Sequence, residues 1–162
     1  VYSSSCSTYG APTHMPVTEE TPQLPVSAYG RSKLQAEALL KDWEKAQNAG
    51  SPAEPTQVVL MRYFNVIGAD PEGRVGERRP AFLDAGSEDY KLYVRLSIAL
   101  FDAAEGLLPS FTIAGGRYRT RDGTAMRDYI HVVDLVSAHV AVLRSMLRRD
   151  PRLPNFTILF CL

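Results

Sequence analysis

The sequence predicts an α/β fold with a mainly parallel sheet, and three observations predict it. Residues 57–64 (QVVLMRYF) form a nearly continuous apolar run, which is typical of a strand buried on both faces of a parallel sheet. Helical patterns precede and follow this run, over residues 28–47 and from Asp134 onward, and a second apolar run covers residues 156–160. Strands that alternate with helices in this way favour a sheet whose strands run parallel.

The first half of the chain begins with the end of a strand over residues 1–5. Residues 10–26 are rich in proline, threonine and glutamate, which predicts a loop. The helix over residues 28–47 follows from apolar residues at positions i, i+3, i+4 and i+7, namely Ala36, Leu39, Leu40 and Trp43. Glycine and prolines in residues 50–55 end that helix.

The second half of the chain has weaker patterns. Residues 65–90 predict a long loop, residues 91–105 a helix, and residues 111–114 and 128–132 short extended segments. Asp134 opens the next predicted helix, since a carboxylate suits the positive end of a helix. One face of that helix is apolar and consists of Val136, Val140, Leu143 and Leu147.

Length and composition limit the classes of protein. A chain of 162 residues predicts one domain, and 18 basic residues balance 18 acidic ones. The zero net charge gives no reason to expect a nucleic acid or an acidic membrane as partner. The sequence shows no apolar run of about 18 residues, so a membrane span is not expected. The chain starts and stops inside predicted strands, which predicts a piece of a longer protein or an incomplete gene product.

The cysteines and histidines argue against a disulfide scaffold and against a metal protein. Two cysteines, Cys6 and Cys161, are too few for a disulfide scaffold, so a reducing compartment such as the cytoplasm is expected. Cys6 is expected to be a small buried residue. His14 and His139 have no partner at a metal-ligand spacing, so no metal is predicted.

The segment SAYGRSKLQAE places Tyr29 and Lys33 four residues apart, as neighbours on one face of a helix. A tyrosine side chain ordinarily ionises near pH ~10, too high for a base at neutral pH. A nearby ammonium group stabilises the phenolate, so the pair is a candidate general acid and base. The alternative is a tyrosine at a helix start with a solvated lysine.

Ser3, Ser4 and Ser5 stand at the carboxyl end of the first predicted strand. Ligands bind at that end of the strands in open α/β sheets. A serine hydroxyl can both donate a hydrogen bond to, and accept one from, a sugar hydroxyl. The alternative is a polar turn.

Four blocks in this order resemble the extended short-chain dehydrogenase/reductase superfamily, and within it the NAD-dependent epimerase/dehydratase family and its UDP-glucose 4-epimerases. The blocks are SSSCSTYG at residues 3–10, YGRSK at 29–33, LMRYFNVIGA at 60–69 with GRVGE at 73–77, and DGTAMRDYIHVVDL at 122–135. The resemblance implies an NAD-dependent isomerase that interconverts UDP-glucose and UDP-galactose through a 4-keto sugar.

The resemblance also implies a fold. It is a partial Rossmann-like, doubly wound parallel sheet that forms a single partial domain over residues 1–162. The glycine-rich unit that begins the family's fold, and most of its C-terminal substrate domain, are not expected within these residues.

Roles for particular residues follow from the resemblance. Tyr29 would be the acid/base, Lys33 would hold the nicotinamide ribose, and Ser5 would bind the same sugar oxygen as Tyr29. The implied cofactor-binding residues are Tyr29, Lys33, Ser3, Ser4 and Tyr63. The implied substrate-binding residues are Ser5, Tyr29, Tyr63, Phe64, Asn65 and Arg127.

Some of these residues also have purely structural interpretations. Tyr63 and Phe64 could simply be the buried end of a strand. Arg127 could pair with a neighbouring aspartate rather than with a diphosphate. His131 is expected to be a structural histidine, and the arginines at positions 144–152 to be the solvated end of a helix.

The chain departs from the family pattern in several places. Ala28 replaces the proline usual before the catalytic tyrosine, and about six extra residues lie near positions 51–56. Residues 78–108 lack the segment expected over the uracil ring, so their role stays open.

Two alternatives therefore remain beside the epimerase. The chain could be a non-catalytic remnant that at most pairs with a partner, since the family dimerises through the helix that bears Tyr29. It could also belong to a nucleotide-sugar dehydratase, but an acidic pair would then be expected beside the serine, where Cys6 and Ser7 stand. Which UDP-sugar is bound stays open.

Overall fold

A computed structural model describes residues 1–78, 84–85, 87–113 and 115–161. The chain divides into two compact units, one formed by residues 1–66 with 128–162 and the other by residues 67–127. The elements are β1 (Tyr2–Ser3), a 3-10 turn (Cys6–Thr8), α1 (Ala28–Asn48), β2 (Val58–Tyr63), β3 (Asn65–Ile67), α2 (Glu88–Tyr93), α3 (Leu96–Ala104), β4 (Tyr129–His131), α4 (Val132–Leu147) and β5 (Phe156–Cys161).

The first unit is built on a parallel three-stranded sheet in the order β1-β2-β5. Leu60 of the central strand pairs with Tyr2 on one side and with Ile158 on the other. Every residue of β2 except Tyr63 is buried, as the apolar run predicts. The predicted α/β class and the parallel strands are therefore confirmed. β3 and β4 form a separate two-stranded sheet.

Helices cover both faces of this sheet. Val59 and Met61 of β2 pack against Val142 of α4 in the main apolar cluster. Arg62, which points to the opposite face because side chains alternate along a strand, contacts Glu37 of α1. The sheet is therefore wound on both faces, as the sequence predicts.

The apolar stripes of the two helices do not face the sheet. In α1, Leu39 is 71% exposed and Trp43 is 49% exposed, and the buried residues are Gly30, Glu37 and Glu44. In α4, the buried residues are Leu135 and Val142, and the predicted apolar face is exposed. The fully buried side of α1 therefore contacts the central strand through the carboxylate of Glu37 rather than through Leu39 and Trp43, whereas Ala36 and Leu40 are partly buried.

The second unit corrects the prediction of one helix over residues 91–105. Val94 and Arg95 are extended and separate α2 from α3. Tyr90 and Ala99 lie nine residues apart, so they would face opposite sides of a continuous helix at 3.6 residues per turn. The break lets both pack into one apolar cluster.

Three smaller predictions are also corrected. β3 opens the segment predicted as a loop over 65–90. The extended segment predicted at 111–114 is not a strand over 111–113, and residue 114 lies outside the described residues. α4 starts at Val132 instead of Asp134, because the His131 side chain caps it by accepting a hydrogen bond from the Val133 N–H. His131 is thus structural, as predicted.

Within the part of the chain that the structure describes, no helix is long and apolar enough to cross a membrane.

Candidate active site

The predicted tyrosine and lysine lie on the first two turns of α1. Ser27 begins this helix by accepting a hydrogen bond from the Gly30 N–H at 3.0 Å. The Lys33 Nζ donates to the main-chain oxygen of Ser3 at 3.0 Å and lies 5.7 Å from the ring centroid of Tyr29. Tyr29 is 55% exposed. The structure therefore brings the lysine to both the tyrosine ring and the carboxyl end of β1.

Ser5 caps the 3-10 turn Cys6–Thr8 that follows β1. Its Oγ accepts a hydrogen bond from the Ser7 N–H and donates one to the Ser7 Oγ, both at 3.1 Å. This turn packs directly on α1, because a Cβ atom at Gly30 would lie only 2.4 Å from the Ser7 carbonyl oxygen. The glycine next to Tyr29 thus permits the serine turn to approach the helix start.

A buried polar network lies beneath this site. Glu37, one turn beyond Lys33, accepts hydrogen bonds from Arg62 Nε at 3.0 Å and from Arg62 Nη2 at 2.6 Å. The Ser4 hydroxyl and the Gln23 amide donate to the same carboxylate. Arg62 Nη1 donates to the Tyr9 hydroxyl at 2.7 Å. The network joins β1, the loop after it, α1 and β2.

The charges in this network are matched. Burial alone would raise the pKa of Glu37, but hydrogen bonds from Arg62, Ser4 and Gln23 outweigh it and hold that pKa below its usual value. Burial raises the pKa of the Tyr9 hydroxyl despite its bond from Arg62. Glu37 is therefore an ionised, buried carboxylate in contact with a buried guanidinium group.

His139 of α4 contacts two of the predicted cofactor-binding residues. Its Nδ1 lies 2.8 Å from the Leu135 carbonyl oxygen and its Nε2 lies 3.2 Å from the Ser3 Oγ. A carbonyl oxygen only accepts, so Nδ1 bears the hydrogen, and in the neutral ring Nε2 accepts from Ser3. The His139 ring also packs edge-on against Tyr63, with 6.3 Å between centroids.

The other predicted substrate residues have structural contacts of their own. Phe64 packs edge-on against Phe160 at 5.5 Å between centroids. The Asn65 side chain donates to the Asp128 carbonyl oxygen at 3.0 Å. Arg127 belongs to the second unit, where its Nη1 donates to the Met126 carbonyl oxygen at 2.7 Å. Their ligand-binding roles stay predictions.

Cys6 is buried, as predicted. The described residues contain no group of three or more histidine, cysteine, aspartate or glutamate side chains that could hold a metal ion.

The parallel sheet, the Tyr29–Lys33 pair on α1 and the serines that follow β1 lie where the resemblance to the short-chain dehydrogenase/reductase superfamily implies. The chain belongs to the NAD dependent epimerase/dehydratase family, whose profile matches residues 1–153.

Curated relatives carry sugar-epimerase names. The chain is 48% identical over 146 residues to UDP-arabinose 4-epimerase 1 of Arabidopsis thaliana. The match covers 90% of this chain and 31% of that protein. It is 40% identical over 146 residues to UDP-glucose 4-epimerase 4 of Oryza sativa subsp. japonica, covering 90% of this chain and 35% of that protein. The chain thus spans about a third of the length of these relatives.

A solved structure has the same fold. The crystal structure of UDP-glucose 4-epimerase from Stenotrophomonas maltophila, with bound NAD and formylated UDP-arabinopyranose, superposes with a TM-score of 0.77 at 34% identity. The match covers 98% of this chain and 41% of that one. The partial Rossmann-like fold expected from the sequence is confirmed.

Sequence reasoning missed the residues that support the site, although two signals were present. Arg62 is the one charge in an otherwise apolar strand, and a buried charge needs a partner. Glu37 follows Lys33 by four residues and so lies on the same helical face. His139 gives no such signal, because its contacts depend on how α4 packs.

Proposed function

We propose that this chain forms the catalytic half of a UDP-sugar 4-epimerase that works with NAD. The observation that supports this most is the position of Lys33, which bonds to the end of β1 and lies beside the ring of Tyr29. The turn that Ser5 caps packs against the same helix start.

Tyr29 is the proposed acid and base. The positive charge that the proposal pairs with this phenol is the Lys33 ammonium group, whose Nζ lies 5.7 Å from the Tyr29 ring centroid. In the forward step the Tyr29 oxygen takes the proton of the sugar 4-hydroxyl, and in the return step it gives that proton back. One group that works in both directions suits a reaction whose substrate and product are epimers.

Ser5 and Lys33 support that proton transfer. The Ser5 hydroxyl, which donates to the Ser7 Oγ in the structure, turns its hydrogen to the sugar oxygen that faces Tyr29 when the substrate binds. Lys33 keeps its bond to β1, so its charge stays fixed while the proton moves.

The exposed polar groups at this edge of the sheet fit a nicotinamide ribose. Ser3 is exposed and Lys33 and Tyr63 are partly exposed, so they can meet ribose hydroxyls. Ser4 is 1% exposed and gives its hydroxyl hydrogen to Glu37, so any contact of Ser4 with the cofactor is proposed through its backbone. When bound there, NAD would supply the hydride chemistry at C4 of the sugar.

Two classes of UDP-sugar are candidates. UDP-glucose and UDP-galactose follow from the resemblance of the sequence blocks. UDP-arabinose is favoured by the higher identity to the relative that bears that name, 48% against 40%. The two sugar classes differ in the hydroxymethyl group at C5.

A homodimer through α1 is proposed for the whole protein, supported by the exposed Leu39 and Trp43. A cytoplasmic location is proposed from the low cysteine content.

Calorimetric titration of the chain with NAD, UDP-glucose and UDP-arabinose tests the proposal. We expect heat of binding with a UDP-sugar, a weaker signal after Tyr29→Phe, and tighter binding of the true sugar class. A folded chain that binds none of the three ligands would instead be the non-catalytic remnant.

A further inference from the structure

We infer that Glu37 is a positioning residue that fixes α1 against the serine turn and so sets the spacing of Tyr29, Lys33 and Ser5. The inference rests on the proposed function for the roles of those three residues. The contacts of Glu37 itself come from the structure alone.

Tyr29, Lys33 and Glu37 follow one another at intervals of four residues, so they share one face of α1. Lys33 donates to the Ser3 carbonyl oxygen, and Glu37 accepts from the hydroxyl of the next residue, Ser4. Successive turns of the helix thus hold successive residues of the strand end, immediately before Ser5.

Glu37 is in turn held by the central strand. Arg62 binds both of its carboxylate oxygens through two bonds, at 3.0 Å and 2.6 Å. Such paired bonds restrict both distance and orientation. β2 is paired on both sides, so it gives Arg62, and through it Glu37, a fixed frame.

Few contacts other than those of Glu37 hold α1 against the serine turn. Leu39 and Trp43 of the α1 stripe are exposed, Ala36 and Leu40 are only partly buried, and the second buried acid of the helix, Glu44, binds Asn48 at the far end. Near the site, α1 is held by the close approach of Gly30 to Ser7, by the bonds of Lys33 and Glu37, and by the Lys33 Nζ, which lies 4.9 Å from the ring centroid of Tyr2. Loss of the Glu37 bonds should therefore release Lys33 from Ser3.

The test measures how fast an amine-acetylating reagent modifies Lys33 relative to the exposed Lys45 in the same folded sample, by mass spectrometry. Glu37→Gln keeps the size of the side chain but replaces an acceptor oxygen with an NH2 group that faces donors. We expect this ratio to rise about fivefold, the factor that corresponds to one hydrogen bond of ordinary strength.

Two further variants make the result specific. Ser4→Ala removes only the hydroxyl that meets Glu37 and should raise the ratio in the same direction, which decides the test if Glu37→Gln does not fold. Val142→Ala weakens the apolar cluster on the opposite face and should leave the ratio unchanged.

An unchanged ratio in Glu37→Gln and Ser4→Ala would overturn the inference, and so would an equal rise in Val142→Ala. The measurement needs neither NAD nor UDP-sugar, so it is independent of the titrations that test the proposed function.

Discussion

Replacement of Arg62 by methionine should destabilise the chain strongly. The main cause is the buried charge of Glu37 that loses its partner, and any loss of apolar packing at that site is smaller. The side chains of Arg62 and Glu37 are 3% and 5% exposed. The carboxylate accepts two bonds from Arg62, one from Ser4 and one from Gln23. Arg62→Met removes the two charged donors and leaves a buried anion, which costs about 3–5 kcal/mol.

Urea unfolding followed by circular dichroism measures this cost. With a slope of about 2 kcal/mol per molar, the midpoint should fall by about 1.5–2.5 M. The matched control is the double variant Glu37→Gln/Arg62→Met, which should be more stable than Arg62→Met alone because it no longer buries an unpaired charge. A midpoint within about 0.5 M of the parent chain for Arg62→Met, or a double variant less stable than that single one, would refute the reasoning.

Three further predictions concern titration and packing. The pKa of Glu37 is lowered in the folded chain. Its contribution to the free energy of unfolding is therefore complete above the unfolded value of 4.5 and is lost as the pH falls through the lower folded value. Urea midpoints measured from pH 7 downward should show this loss, and the Glu37→Gln variant should not show it. Gly30→Ala should destabilise the chain by about 1–3 kcal/mol because its methyl group meets a backbone oxygen, whereas Gly50→Ala, with nothing within 4 Å, should stay within about 1 kcal/mol of the parent in thermal unfolding. The Arg152 side chain and N–H hold the pKa of Asp150 at about 2, and an NMR titration should find that midpoint and its rise in Arg152→Gln; an unchanged midpoint in the variant would contradict the assignment.

The order of elements could be predicted because local patterns determine it. The apolar run of β2 and the periodicity of α1 lie in contiguous residues, and both elements form where predicted. The lysine beside the tyrosine could also be predicted, since both residues lie on one helix. The serine turn required the family resemblance, because only the sheet brings it to that helix.

The apolar faces of α1 and α4 could not be oriented from periodicity. A stripe such as that of Leu39 and Trp43 predicts an apolar face but does not say whether the sheet or another surface covers it. The sheet-facing side of α1 is polar because Arg62 lies beneath it, and this pairing joins residues 25 positions apart in the chain. The break between α2 and α3 was missed for the same reason, since it depends on packing around Tyr90.

The central claim is that Tyr29 is the acid and base of a UDP-sugar 4-epimerase. Its most direct test compares epimerase activity with Tyr29 and with phenylalanine at that position. The segment of the rice UDP-glucose 4-epimerase 4 that matches this chain can be replaced by the chain, and turnover of UDP-glucose and UDP-arabinose measured in the folded hybrid. We expect turnover of at least one sugar, and a loss of about a hundredfold or more in the Tyr29→Phe hybrid. A folded hybrid that binds NAD but turns over neither sugar, or one whose activity is unaffected by Tyr29→Phe, would contradict the proposed role of this chain.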